Sequence, residues 1–145
     1  MRFLLQLPRY LGFAREARSV AVERCRAKAE QGDAQAQVSL GERYFDGLGV
    51  SRDYEQAFAW FRRAAEQGHP RAQDNVGLML FLGRGTAQDH VEACKWLLLA
   101  RDQGDPKATD SLARLSGKVT GDEMAEATRR AREWVESWRS GLDTA

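Results

Sequence analysis

The residues best suited to chemistry lie in the stretch DHVEAC, residues 89–94, where His90 adjoins Asp89 and Cys94 follows one helical turn later. An imidazole near a thiol can lower the thiol pKa and turn it into a nucleophile. Such a site needs a third group to orient the imidazole, and no residue type at a matching spacing supplies one. His69 falls at a different point of the chain's internal pattern, and Asp89-His90 reads most simply as a helix start. Cys25 and Cys94 lie far apart, with no CxxC and no companion histidines, a pattern that fits two free thiols in a reducing compartment and neither a zinc site nor a secreted disulfide framework. The stretches DGLGV and LGRGT are glycine-rich, but they follow helical patterns and not strands, so neither is a phosphate loop. The chain is therefore expected to be non-enzymatic, with no catalytic residue, metal or cofactor.

What could position side chains for another purpose shows in the chain's period. Residues 33–68 and 69–104 align without a gap over 36 positions, of which 12 are identical. The identities include Ala36/Ala72, Gly41/Gly77, Phe45/Phe81, Gly47/Gly83, Gly49/Gly85, Asp53/Asp89, Trp60/Trp96 and Gly68/Gly104. A half copy, AVERCRAKAEQG, precedes them, and a third copy begins with DPKATDSLARL and then drifts. Cys25 aligns with Phe61 and Leu97, an apolar position.

Each copy carries the punctuation of two helices. Asp33, His69 and Asp105 stand at N-cap positions, with Pro70 and Pro106 at the first helical position after the latter two. Gly47 and Gly83 fall where a first helix would end in a left-handed residue, and Asp53-x-x-Gln56 and Asp89-x-x-Glu92 begin the second helices. The small residues Gly41, Gly77 and Ala113, one per first helix, would admit a close partner helix, and Trp60 and Trp96 would fill the space between copies. Two-helix units cannot bury their apolar faces alone, so they stack. The apolar run Leu78–Leu82 then belongs to the first helix of the central copy, with Met79 and Leu80 buried between helices. It is far too short to span a membrane.

The spacing Ala-x3-Leu-Gly-x2-Tyr-x2-Gly-x-Gly-Val-x2-Asp-x3-Ala-x2-Trp-Phe-x2-Ala-Ala-Glu-Gln-Gly, met from Ala36 to Gly68, resembles the Sel1-like repeats, relatives of the tetratricopeptide repeats. The second copy departs from it at Val76, Leu80, Thr86 and Leu97. The resemblance implies an all-α fold: a right-handed α-solenoid of helix-turn-helix repeats. In it, residues 1–18 form an apolar N-terminal segment, 19–32 a half repeat, 33–68 and 69–104 two full repeats, and 105–145 a degenerate third repeat with a C-terminal capping helix. That last helix opens with the capping box Thr120-x-x-Glu123 and carries Met124, Ala127, Ala131, Trp134, Val135 and Trp138 at helical spacing. Some relatives in this family have a disulfide in each repeat and are linked to penicillin binding; this chain has no cysteine pair within any repeat, and that activity does not carry over.

The same resemblance implies that the first helices line a concave face. The positions it selects are Gln35, Val38, Glu42, Phe45 and Asp46 in the first copy, Arg71, Asp74, Leu78, Phe81 and Leu82 in the second, and Lys107, Asp110 and Arg114 in the third. Leu78, Phe81 and Leu82 are then either covered or form an apolar patch with a charged rim, suited to a peptide or partner helix. The expected function is a protein-binding adaptor or scaffold. The alternative is a regulatory subunit docked at a membrane through the apolar residues 1–13, and a thiol-dependent enzyme ranks third.

Charge and length agree with this ordering. The 145 residues carry 22 basic and 21 acidic side chains, a formal net charge of +1, so no global field draws the chain to nucleic acid. The arginines at 129, 130, 132 and 139 have no accompanying base-stacking aromatics, and no nucleic-acid partner is expected. Pro8 and Arg9 interrupt the N-terminal apolar stretch before it reaches the length of a signal peptide's apolar region, so a cytoplasmic location is expected.

Overall fold

A computed structural model describes the backbone of residues 7–143 and the side chains of residues 12–141. Among the described residues there are seven helices and no strand: α1 (Leu7–Glu30), α2 (Ala34–Asp46), α3 (Tyr54–Glu66), α4 (Pro70–Leu82), α5 (His90–Asp102), α6 (Pro106–Leu115) and α7 (Gly121–Asp143). Most of the apolar segment 1–13 lies outside the described side chains. α1 is one unbroken helix through residue 18, where the sequence pattern changes from N-terminal segment to half repeat.

Local chemistry sets the helix ends. Asp33, Asp53, Asp89 and Asp105 each accept a hydrogen bond from a first-turn backbone N–H, and His69 does so through Nδ1. Gly47 and Gly83 close α2 and α4 at φ of 74° and 63°, the left-handed region that only glycine enters without strain. At α7 the box is reciprocal: Thr120 N–H donates to Glu123 Oε2 (2.8 Å), and Glu123 N–H donates to Thr120 Oγ1 (3.2 Å).

The helices stack in chain order. α2 pairs with α3 and α4 with α5, while α1 packs on α2, α3 on α4, and α5 on α6. Gly41 and Gly77 make the pairings close: a Cβ there would lie 2.7 Å from the Phe61 ring and 2.6 Å from Leu97 Cγ. Ala113 does not repeat this role and is exposed. No Gly-x-Gly turn follows α6; the shorter connection at residues 116–120 delivers α7 onto α5, with little contact to α6. Ala127 and Ala131 of α7 enter the core, and Trp134 meets Trp96 edge-on at 5.9 Å. Trp60 fills the seam between α1 and α2 with Val22, Ala29, Ala36 and Leu40. Met79 and Leu80 are buried, as the stacked arrangement requires.

A second link joins successive repeats. Gln73 Nε2 donates to the Ala65 carbonyl (3.3 Å), and Gln73 Oε1 accepts from Gln103 Nε2 (2.6 Å). One repeat earlier, Gln37 donates to the Ala29 carbonyl (3.0 Å) and accepts from Gln67 (2.8 Å). Both central glutamines are buried, so each amide bridges the previous repeat and the end of its own.

Candidate functional site

The packing of α2, α4 and α6 leaves a groove of about 370 Å³. Glu42, Phe45 and Asp46 line it from α2; Arg71, Asp74, Asn75, Leu78, Met79 and Leu82 from α4; Lys107 from α6; Phe61 and Arg84 complete it. Leu82 is 58 % exposed although it ends a helix whose neighbouring residues are buried, and Leu78 is half-buried beside it one turn earlier. Charge surrounds these leucines. Arg71 pairs with Glu42 across the groove from α4 to α2. The Arg84 guanidinium lies 5.1 Å from the Tyr54 ring centroid and 5.7 Å from that of Phe45, and those two rings meet edge-on at 5.1 Å.

Eight of the residues expected to face the groove line it: Glu42, Phe45, Asp46, Arg71, Asp74, Leu78, Leu82 and Lys107. Five do not. Val38 has no exposed surface, because its position on α2 faces the core shared with α3 and α4. Phe81 is buried, with its ring stacked on His90 at 5.0 Å and Lys118 over it at 5.4 Å, so it packs on its own repeat's second helix. Gln35 is exposed at the start of α2, where its Oε1 lies 3.2 Å from His69 Nε2. Asp110 and Arg114 are exposed on α6, beyond the groove. Arg84, Asn75, Met79 and Phe61 were not legible as lining residues. Arg84 aligns with Leu48, a turn position with no distinguishing pattern.

Asp74 is the unusual member. It takes the place that Val38 holds one repeat earlier and is 3 % exposed, yet it borders the groove. Ser111 Oγ donates to its Oδ1 across the α4–α6 seam (3.1 Å). Burial pushes the Asp74 carboxyl above its ordinary value of 3.8, opposed by the Ser111 hydrogen bond and Lys107. The folded chain therefore holds this proton to higher pH than the unfolded chain does, and the Asp74 contribution to stability falls as pH rises from 3.8 through the raised value. Asp74→Asn keeps an acceptor for Ser111 and loses the charge. Its thermal midpoint is expected to exceed wild type at neutral pH and to converge with it below pH 3.8; the same difference at both pH values would remove the carboxylate as its source.

The thiol next to His90 is not an activated nucleophile. Cys94 is fully buried, and burial, with Glu123 nearby, pushes its thiol up, opposite to the effect expected from an adjacent imidazole. The His90 ring is engaged with Phe81. Cys25, half-buried, donates its S–H to the Ala36 carbonyl (3.4 Å). Among the described residues no group of three or more His, Cys, Asp or Glu side chains could hold a metal ion.

The Sel1 repeat matches residues 34–69 and 70–105, each one residue later than the 36-residue copies at 33–68 and 69–104. The secretory immunoglobulin A-binding protein EsiB of Escherichia coli O6:H1 is 50 % identical over 46 residues, 32 % of this chain and 9 % of that protein. A protective antigen of uropathogenic Escherichia coli, whose crystal structure displays an SLR fold, superposes with a TM-score of 0.77 at 32 % identity, over 81 % of this chain and 26 % of its own. A Sel1 repeat protein from Oxalobacter formigenes superposes with a TM-score of 0.66 at 33 % identity, over 67 % of this chain and 28 % of its own. This chain thus spans less than a third of each of these relatives.

Proposed function

We propose that this chain, which belongs to the Sel1 repeat family, is a non-enzymatic protein-binding module that seats a peptide or partner helix in the groove between α2, α4 and α6. The observation that carries the reading is the exposed Leu82, set with Leu78 in a concave site ringed by Glu42, Asp46, Arg71, Arg84 and Lys107. Apolar anchors at the centre supply affinity, and a polar rim supplies register and specificity. The groove's size suits one or two anchoring side chains of a partner, with the rest of the partner lying across the rim. The relative named for binding secretory immunoglobulin A is a precedent for a protein partner in the family, and not for this partner.

Selection of a displayed peptide library on the immobilised full chain tests this. Selected peptides should carry large apolar side chains, and their affinity should fall by about thirtyfold or more for Leu78→Ser/Leu82→Glu, the loss expected of a central anchor. Leu48→Glu, which alters another exposed leucine outside the groove, should leave affinity unchanged. Retention of the peptides by a Leu82→Glu variant with intact circular dichroism would overturn the assignment.

A further inference from the structure

α1 has a packed side and an open side. Val22, Cys25 and Ala29 seat it against α2, together with Ala36, Leu40 and Trp60. At 100° per residue, Phe13, Ala17, Val20, Arg24 and Lys28 fall on the side turned away from α2, and all five are exposed. Phe13 is 76 % exposed and Val20 52 %, two of the most exposed large apolar side chains among the described residues. In a repeat stack this is an end face, where a preceding unit would pack.

The charge of that face selects its occupant. The open stripe holds two cations and no carboxylate; Glu16, Glu23 and Glu30 follow at seven-residue spacing along one flank. Arg24 and Lys28 make no ion pair with the described residues, and neither do Arg15 and Arg18 on the same helix, whereas Glu23 is already approached by Arg26 at 4.0 Å. Residues 1–20 contain four arginines against one glutamate, so the remainder of the chain is net acidic although the whole carries +1. Two copies meeting in parallel and in register through this face would oppose Arg24 to Arg24 and Lys28 to Lys28. A surface of lipid phosphates would pair them and receive Phe13 and Val20 at its acyl boundary.

We propose that the outer face of α1, Phe13–Ala17–Val20 with Arg24 and Lys28, docks on an anionic lipid bilayer. No described helix is long and apolar enough to cross a membrane, so α1 lies on the surface. Apolar insertion and cationic attraction act together, as reversible surface binding requires. With α1 flat on the bilayer the groove of α2, α4 and α6 stays free for a partner, because no α1 residue lines it. This inference does not depend on what the groove binds.

Flotation of the full chain with vesicles tests it. The chain should float with phosphatidylglycerol–phosphatidylcholine vesicles at low ionic strength, stay behind with pure phosphatidylcholine, and be released by high salt. Arg24→Gln/Lys28→Gln should lower partitioning by about thirtyfold, since each cation near such a surface contributes about fivefold and each is here neutralised. Phe13→Ser/Val20→Ser should lower it independently, and both pairs lie at exposed sites that leave circular dichroism unchanged. Failure to float on anionic vesicles, or flotation of both variants like wild type, would overturn the proposal. So would a dimer by light scattering that these substitutions dissociate, because a second copy would then be the occupant.

Discussion

Gly85→Ala is expected to cost about 3–5 kcal/mol of stability, roughly 10 °C in the thermal midpoint, although residue 85 sits in a turn between α4 and α5. Two effects combine. Gly85 has φ of +71°, where an L side chain is strained by roughly 1–2 kcal/mol. A Cβ there would also lie 2.2 Å from the Tyr54 carbonyl oxygen and 2.4 Å from its carbon, both backbone atoms at the start of α3 that cannot rotate away. The turn of the second repeat rests directly on the first repeat, so relief requires the two to separate. Gly104→Ala separates the two effects: its φ is +87°, but no atom lies within 4 Å of the added Cβ, and only the conformational cost applies. Thermal unfolding of the two variants by circular dichroism gives the difference. Equal losses would mean that the turn yields without disturbing the seam. Gly49 holds the corresponding place one repeat earlier, where the nearest atom is a Val22 methyl carbon at 3.0 Å, so Gly49→Ala should fall between the two.

The same glycines show how far the sequence is readable. A 36-residue period with aligned glycines, tryptophans and capping residues fixes two repeats, because each feature answers a local demand on backbone or packing that recurs unchanged. The groove is less legible because it depends on what neighbouring repeats leave uncovered. Val38 and Asp74 share one position, and the same geometry buries a valine in one repeat and places a carboxylate against Ser111 in the next. Phe45 and Phe81 also align, and each packs on the first residue of its own second helix, yet Phe45 borders the groove and Phe81 does not. Arg84 contributes to the rim only through rings of the previous repeat, a relation with no periodic signature. The third repeat ends the regularity: without a Gly-x-Gly turn α7 leaves α6 for α5, so Asp110 and Arg114 lose the neighbours that their aligned positions imply.

Gln73→Leu should cost about 2–3 kcal/mol while conserving volume, the range for removing one partner of buried hydrogen bonds. The glutamine donates to Ala65 and accepts from Gln103, and leucine does neither. The Ala65 carbonyl retains the Gly68 N–H at 2.9 Å and the Gln103 amide retains a longer contact to the Leu99 carbonyl at 3.4 Å, which keeps the expected loss below that of a wholly orphaned pair. Gln103→Ala removes only the outer bond from an exposed side chain and should cost less than about 1 kcal/mol. A double-mutant cycle on Gln73 and Gln103, measured by denaturant unfolding, should give a coupling of about 1 kcal/mol, whereas Gln37→Leu combined with Gln73→Leu should be additive within about 0.5 kcal/mol because the two amides serve separate junctions. A neutral Gln73→Leu would mean that apolar packing alone holds the repeats together. Thr109 stands where the third repeat would carry this glutamine, so the ladder has no third rung, and α7 closes that end through Ala127, Ala131 and Trp134 instead.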